Sequence, residues 1–140
     1  TNGIGLSQII AKDLDNDNDL DIIVSCYNDD KVSWFKNNDG QGNFGNIQVV
    51  NNLNGVKSVC AYDFDGDHNI DILSASQIDD KIVWQKNLNG QGNFGQENIL
   101  TRSINGPIKS ITSDIDNDGA DEIIASSQDK YINISTVVHF

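Results

Sequence analysis

The stretch Asp13-Leu-Asp15-Asn-Asp17-Asn-Asp19-Leu-Asp21-Ile22 occurs in three versions in this chain of 140 residues. The other two are Asp63-Phe-Asp65-Gly-Asp67-His-Asn69-Ile-Asp71-Ile72 and Asp114-Ile-Asp116-Asn-Asp118-Gly-Ala120-Asp-Glu122-Ile123. Each version has carboxylates at positions 1, 3, 5 and 9, and the spacing between versions is 50 and then 51 residues. Oxygen ligands at alternate positions of a tight loop suit Ca²⁺. Carboxylates this close repel one another unless a cation lies among them. The pattern therefore predicts three calcium loops.

The charge of the chain comes mainly from these loops. The net charge is −12, and 14 of the 21 acidic residues lie in the three stretches. A strongly acidic chain is a poor partner for nucleic acid or for an anionic membrane surface. No stretch approaches the roughly 18 apolar residues of a membrane span, so we expect no membrane insertion. Methionine is absent, so we expect the chain to be a processed product or a piece of a longer protein.

The repetition extends beyond the acidic loops. Asp29-Asp30-Lys31-Val-Ser-Trp34 matches Asp79-Asp80-Lys81-Ile-Val-Trp84, and Gly40-Gln-Gly-Asn-Phe44-Gly45 returns unchanged as Gly90-Gln-Gly-Asn-Phe94-Gly95. Self-similarity at a fixed period is the signature of a repeat architecture. We therefore predict a single repeat region over residues 1–140, with units at about 6–53, 56–103 and 108–140.

The apolar runs within each unit predict strands. They are short, rich in β-branched residues and bounded by Asn, Asp and Gly. In the first unit they are Leu6–Lys12, Leu20–Tyr27, Lys31–Lys36 and Ile47–Leu53. No segment shows ten or more residues of helical periodicity, so the predicted fold class is all-β. Four strands in about 50 residues is the size of a propeller blade. The third unit has room for about three strands and is incomplete.

On these residues the chain resembles the VCBS and FG-GAP repeats of integrin-α-like β-propellers. The resemblance rests on the Asp-x-Asp-x-Asp-x-x-x-Asp loop with its aliphatic pair, the Lys-x-x-Trp strand and the Gly-Asn-Phe-Gly turn. It implies about three four-stranded blades whose loops bind calcium structurally. The Gly-Ala-Pro element of FG-GAP is absent, so VCBS is the closer match. In the third unit Glu122 stands at the position of Asp21 and Asp71, and Asn133 at that of the Trp.

The metal ligands are assigned by analogy with other Asp-rich calcium loops, one ion in each loop. The side-chain ligands are Asp13, Asp15, Asp17 and Asp21; Asp63, Asp65, Asp67 and Asp71; and Asp114, Asp116, Asp118 and Glu122. The backbone carbonyl at position 7 comes from Asp19, Asn69 and Ala120.

Two further features of the loops bear on calcium binding. Position 6 favours left-handed backbone, which suits Asn18 and Gly119 better than His68, so we expect loop two to bind more weakly. An EF-hand is excluded because position 12 is Val24, Ser74 or Ala125, where a bidentate Glu is required.

Other residues have a structural and a functional interpretation. Three equivalent acidic clusters do not resemble the one differentiated carboxylate pair of a hydrolase, and His68 and His139 are unpaired, so we expect no enzyme active site. Trp34 and Trp84 stand at the same strand position in successive units, so we expect them to pack between blades and not to stack on a sugar. Cys26 and Cys60 favour two small buried side chains over a disulfide.

We expect a non-enzymatic, extracellular or cell-surface module for adhesion or structural self-assembly. A carbohydrate-binding lectin and the propeller part of a larger secreted enzyme are the alternatives. Closed propellers have about four to eight blades. The missing blades would come from a longer chain, from further copies of this one, or from a polymer joined by strand addition. A protein or glycan ligand is the other expected partner.

Overall fold

The fold is described from a computed structural model that covers residues 5–117, 119, 121–129 and, for the backbone, 133–135. Three antiparallel sheets follow one another along the chain. Sheet one contains β1 (Leu6–Lys12), β2 (Asp21–Cys26), β3 (Lys31–Phe35) and β4 (Gln48–Asn52). Sheet two contains β5 (Val56–Tyr62), β6 (Asp71–Ser76), β7 (Lys81–Gln85) and β8 (Asn98–Thr101). Sheet three contains β9 (Pro107–Ser113), β10 (Glu122–Ser127) and β11 (Asn133–Ser135).

The all-β fold class is confirmed. Within each sheet every strand pairs with its neighbour in sequence, and the described residues contain no helix. The four strands predicted in the first unit match β1 to β4 to within one residue at each end. No helix in this part of the chain has the length and hydropathy needed to cross a membrane. Residues 136–140, which end the predicted third unit, lie outside the described residues.

Sheet two lies between the other two sheets. Every residue of β6 and β7 is buried, as expected for strands covered on both faces. The core between sheets one and two contains Leu14, Ile23, Val32, Trp34, Val50, Leu53, Val56, Val59, Ile72 and Val83. The core between sheets two and three contains Leu73, Ala75, Ile82, Trp84, Ile104, Ile123 and Ala125. Burial of both Trp side chains confirms the packing interpretation.

The Gly-Gln-Gly-Asn-Phe-Gly segment of the second unit makes close contacts with sheet one. Gly92 has a φ of 75°, and a Cβ there would collide with the indole ring of Trp34. A Cβ on Gly90 would collide with the side chains of Asn69 and Asn16. Glycine is required at both places because the backbone approaches a neighbouring group too closely for any side chain.

The prediction that Asn133 takes the place of the Trp is wrong. Trp34 pairs with Ile23, and Trp84 pairs with Leu73, but the residue of β11 that pairs with Ile124 is Ile134. Ile134 therefore stands at the pairing position that Trp34 and Trp84 occupy in the first two sheets. Asn133-Ile-Ser135, which has the Asn-x-Ser pattern of an N-glycosylation site, lies on β11 by its backbone, and its side chains lie outside the described residues.

The cysteines are not bonded to each other. Cys26 is buried, and Cys60 Sγ donates to the Ser110 carbonyl oxygen at 2.9 Å. Burial raises the pKa of both thiols. Cys60 pairs with Leu73 as Ile10 pairs with Ile23, so it stands at a position that is aliphatic in the first unit.

Substitution of Trp84 by Ala tests the core between sheets two and three. Removing this side chain leaves a large cavity, so we expect the free energy of unfolding in urea to fall by about 3–5 kcal/mol. Val49→Ala, at an exposed position of β4, is the control and is expected to change it by less than about 0.5 kcal/mol. A similar small effect of both substitutions would contradict the assigned core.

Candidate metal sites in the acidic loops

The acidic loops join the first and second strands of each sheet, and their backbone turns twice through the left-handed region. Position 6 has a φ of 72° at Asn18, 69° at His68 and 96° at Gly119. The left-handed geometry predicted for that position is confirmed, and His68 adopts it in spite of its side chain. Position 4 is also left-handed, at Asn16, Gly66 and Asn117. The sequence carried this second signal, since position 4 is Asn or Gly in every copy.

In each loop three carboxylates converge. One oxygen of each lies within 4.8 Å of the others, so each group could hold a metal ion. The groups are Asp13, Asp15 and Asp17; Asp63, Asp65 and Asp71; and Asp114, Asp116 and Glu122. Asp21 and Asp67 lie in the same loops but outside these trios. Asp118 and Ala120, predicted ligands of loop three, lie outside the described residues.

The first Asp of each loop holds the turn together. Asp13 Oδ2 accepts the Asn18 N–H at 2.9 Å, and Asp63 Oδ2 accepts the His68 N–H at 2.8 Å. Asp114 Oδ2 accepts the Gly119 N–H at 3.1 Å. The same bond spans five residues in all three loops, so this carboxylate fixes the backbone that surrounds the candidate site.

Position 7 is tied to position 5 in the first two loops. The Asp19 N–H donates to Asp17 Oδ1 at 3.0 Å, and the Asn69 N–H donates to Asp67 Oδ1 at 2.8 Å. These bonds hold the two residues whose carbonyl groups are the predicted backbone ligands. Asn69 Oδ1 also accepts a bond from Asn16 Nδ2 at 3.2 Å, which links loop two to loop one.

The acidic residue at position 9 is buried in all three sheets. Asp21 Oδ2 accepts the Leu14 N–H at 3.2 Å, and its Oδ1 accepts the Asn37 N–H at 2.8 Å. Glu122 Oε2 accepts the Ile115 N–H at 2.8 Å, so the longer side chain makes the same bond to position 2 as Asp21. These carboxylates tie the loop to its own second strand.

Asp71 is the position-9 residue of loop two, and its Oδ1 accepts the Asn87 N–H at 2.8 Å. Its Oδ2 accepts the Trp84 Nε1–H at 3.0 Å. Burial raises the pKa of Asp71 to about 6, and the neighbouring Asp65 charge adds to the effect. A cation placed among these carboxylates would oppose both causes and favour the charged form.

Two lysines that the sequence analysis did not assign to the site enter loops one and two. Lys36 Nζ contacts Asp15 Oδ2 and lies 3.0 Å from Asp17 Oδ2. Lys86 Nζ contacts Asp65 Oδ2 and lies 2.9 Å from Asp67 Oδ2. The paired carboxylates raise the pKa of both lysines. The available signal was a lysine two residues after each Trp.

Several buried carboxylate oxygens have no hydrogen-bond partner in the described structure. They are Asp13 Oδ1, Asp15 Oδ1 and Asp65 Oδ1. The Asp15 side chain is only 5% exposed, so water does not compensate for the missing partner. A buried anionic oxygen without a donor is costly, and a bound cation would remove the cost. The residues present therefore fit a metal ion.

The two histidines are the remaining titratable groups that the sequence pointed to. The His68 side chain is almost fully exposed, with Nδ1 3.9 Å from Asp63 Oδ2, as expected of a surface turn. His139 lies outside the described residues.

Substitution of Asp21 by Ala tests the position-9 anchor independently of any metal. The buried N–H groups of Leu14 and Asn37 would lose their acceptor, so in excess chelator we expect a loss of about 1–3 kcal/mol in unfolding free energy. Asp29→Ala, in an exposed turn, is the control and is expected to cost less than about 0.5 kcal/mol. Equal effects would show that Asp21 is not an anchor.

Comparison with known families supports the resemblance found in the sequence. The chain matches the FG-GAP-like repeat family over residues 13–74 and, overlapping, over residues 63–125. No curated protein matches the chain. Each matched stretch begins at the first Asp of one loop and ends in the second strand of the next sheet. The two matches together span most of the 140 residues, and the chain belongs to the FG-GAP-like repeat family.

Proposed function

We propose that the chain is a non-enzymatic, calcium-stabilised repeat module of the β-propeller type, which functions by packing its open sheet faces against further copies of itself. Membership of the FG-GAP-like repeat family supports the repeat module. The observation that carries the assembly part is an apolar face of sheet one that has no covering sheet among the described residues.

This open face is defined here by Leu6, Ile9 and Phe44. Leu6 and Ile9 are 59% and 62% exposed. Their counterparts in sheet two, Val56 and Val59, occupy the same pairing positions and are fully buried against sheet one. Leu6 and Ile9 are therefore apolar side chains at repeat positions that are covered by a neighbouring sheet in sheet two and are exposed in sheet one.

Phe44 follows the same pattern. It is 42% exposed, whereas its counterpart Phe94 is partly buried against the core between sheets one and two. A group of exposed apolar side chains at repeat positions that are otherwise buried indicates an interaction surface.

The complementary surface is the far face of sheet three. Ile111 is exposed there, whereas Ile10 and Cys60 at the same pairing position are partly buried by the next sheet. A second copy that placed its sheet three on this sheet one would reproduce the internal packing. Such a head-to-tail contact generates a ring if it closes and a filament if it does not.

Light scattering of Ile9→Lys tests the assembly. We expect the unmodified chain in calcium to form a dimer or larger particle, and Ile9→Lys to shift the mass to that of one chain, because a buried lysine without a partner opposes packing. Ile78→Lys is the matched control, since Ile78 is 58% exposed in the turn that joins β6 and β7 of sheet two, and it should leave the mass unchanged. A single-chain mass for the unmodified protein would rule out self-association.

Calcium is the metal that suits the candidate sites best. The candidate ligands are carboxylate oxygens, and Ca²⁺ accepts six to eight oxygen ligands in flexible geometry. The unpartnered oxygens of Asp13, Asp15 and Asp65 support a cation in loops one and two. Modest-affinity loops of this kind stay filled where calcium is millimolar, which favours an extracellular or cell-surface location. The role of calcium is structural, because an ion that binds only the folded loop stabilises the folded chain.

Calcium removal and Asp65→Ala test the metal assignment. We expect chelator to lower the melting temperature by more than an equal change in ionic strength does. Asp65→Ala should lower the metal content by about one ion per chain in elemental analysis, because Asp65 belongs to the loop-two trio. Asp29→Ala, at an exposed turn, should retain the full content. No difference in metal content between the two variants would remove Asp65 from the ligand set.

The lectin alternative loses the residues on which it depended. Trp34 and Trp84 are buried between sheets, so neither indole face can stack on a sugar. A cavity of about 330 Å³ lies where β1, β5 and β9 begin, and it is lined by Leu6, Ser7, Gln8, Lys57, Ile108 and Lys109, none of them aromatic. Two further predictions remain. The module could be part of a larger secreted enzyme, and it could adhere to another protein or to a glycan.

A further inference from the structure

Lys36 and Lys86 occupy equivalent places in successive repeats. Each follows the end of the third strand of its sheet by one residue, and each directs its ammonium group to the second and third Asp of the acidic loop. The contact joins residues 21 positions apart in both repeats, Lys36 with Asp15 and Lys86 with Asp65. Because the same long-range ion pair occurs in two repeats, we take it to be a regular part of the loop structure.

The two oxygens of the central Asp have different surroundings. Asp15 Oδ2 contacts the Lys36 ammonium, whereas Asp15 Oδ1 is buried and has no partner in the described structure. Asp65 has the same arrangement, with Oδ2 against Lys86 and Oδ1 buried without a partner. The lysine therefore occupies one edge of the carboxylate and leaves the other edge available.

We propose that Lys36 and Lys86 are internal counter-ions, which hold loops one and two in their folded geometry when no divalent cation is bound and leave one oxygen of Asp15 and Asp65 for that cation. The inference deepens the calcium assignment. It rests on that assignment only for the identity of the ion that binds Oδ1 of Asp15 and of Asp65.

Electrostatics gives the reason for a permanent cation at this place. Asp13, Asp15 and Asp17 are close enough to share a metal ion, so without one their charges repel in a region partly removed from water. The Lys36 ammonium lowers the negative charge of the cluster by one and bridges two of its members. Because the Asp15 side chain is nearly buried, this pair is screened less than a surface salt bridge.

A lysine that acts as a counter-ion and a lysine that only packs are expected to respond differently to calcium. In chelator the lysine is the main cation at the cluster, so its removal should open the loop. In saturating calcium the ion itself neutralises the carboxylates, so removal of the lysine should matter little. An effect that appears in chelator and disappears in calcium separates a counter-ion from a lysine that only packs.

Hydrogen exchange measured by mass spectrometry on the full chain provides the test, with peptides that cover residues 13–21 and 63–71. In chelator, Lys36→Gln should speed exchange in residues 13–21 about tenfold while residues 63–71 keep the rate of the unmodified protein. Lys86→Gln should produce the reverse pattern. Each variant thus contains its own control in the other loop.

Three further arms make the result specific. Lys36→Arg keeps the charge and should retain most of the protection. Lys109→Gln removes one positive charge at an exposed position of β9 and should change neither loop. Calcium added in excess to Lys36→Gln should restore protection in residues 13–21.

The outcomes separate the counter-ion role from the calcium assignment. If Lys36→Gln and Lys109→Gln give the same exchange in chelator, the counter-ion role is overturned, whatever calcium does. If Lys36→Gln opens loop one in chelator and calcium restores no protection in any variant, the lysine role is supported and the calcium assignment is overturned.

Discussion

The burial of a carboxylate at the start of the second strand is the constraint on which each sheet depends. A buried negative charge is stable only when donors or cations surround it. Asp21 and Asp71 obtain these donors from the backbone of their own loop and from the second residue after the third strand. The same carboxylate therefore joins the loop, the second strand and the end of the third strand, and its need for donors determines how the loop folds.

The stacking of the sheets depends on the same region. Asn87 is fully buried, and its N–H donates to Asp71 in its own sheet. Its side-chain Nδ2 donates to the Leu14 carbonyl oxygen of loop one at 2.9 Å, which is in the preceding sheet. A single side chain thus connects the buried carboxylate of one sheet to the acidic loop of its neighbour.

The sequence predicted the parts of this arrangement that depend on local pattern. The strands of sheet one were predicted to within one residue because short apolar runs and the turn residues that bound them are local features of the sequence. The buried Trp side chains and the left-handed position 6 could be predicted for the same reason. The residue of β11 opposite Ile124 was predicted wrongly because register is set by the pairing with β10, which matching residues along the sequence does not reveal.

Lys36 and Lys86 are the part of the candidate site that could not be predicted from the sequence. Their partners lie 21 residues earlier in the chain, so only the sheet topology brings ammonium and carboxylate together. The sequence of an acidic loop, taken alone, indicates that all of its negative charge must be neutralised by a metal. The folded chain instead supplies one positive charge of its own to each of loops one and two, through a residue whose place is set by the third strand. The number of charges left for a metal to neutralise is therefore a property of the sheet and not of the loop sequence alone.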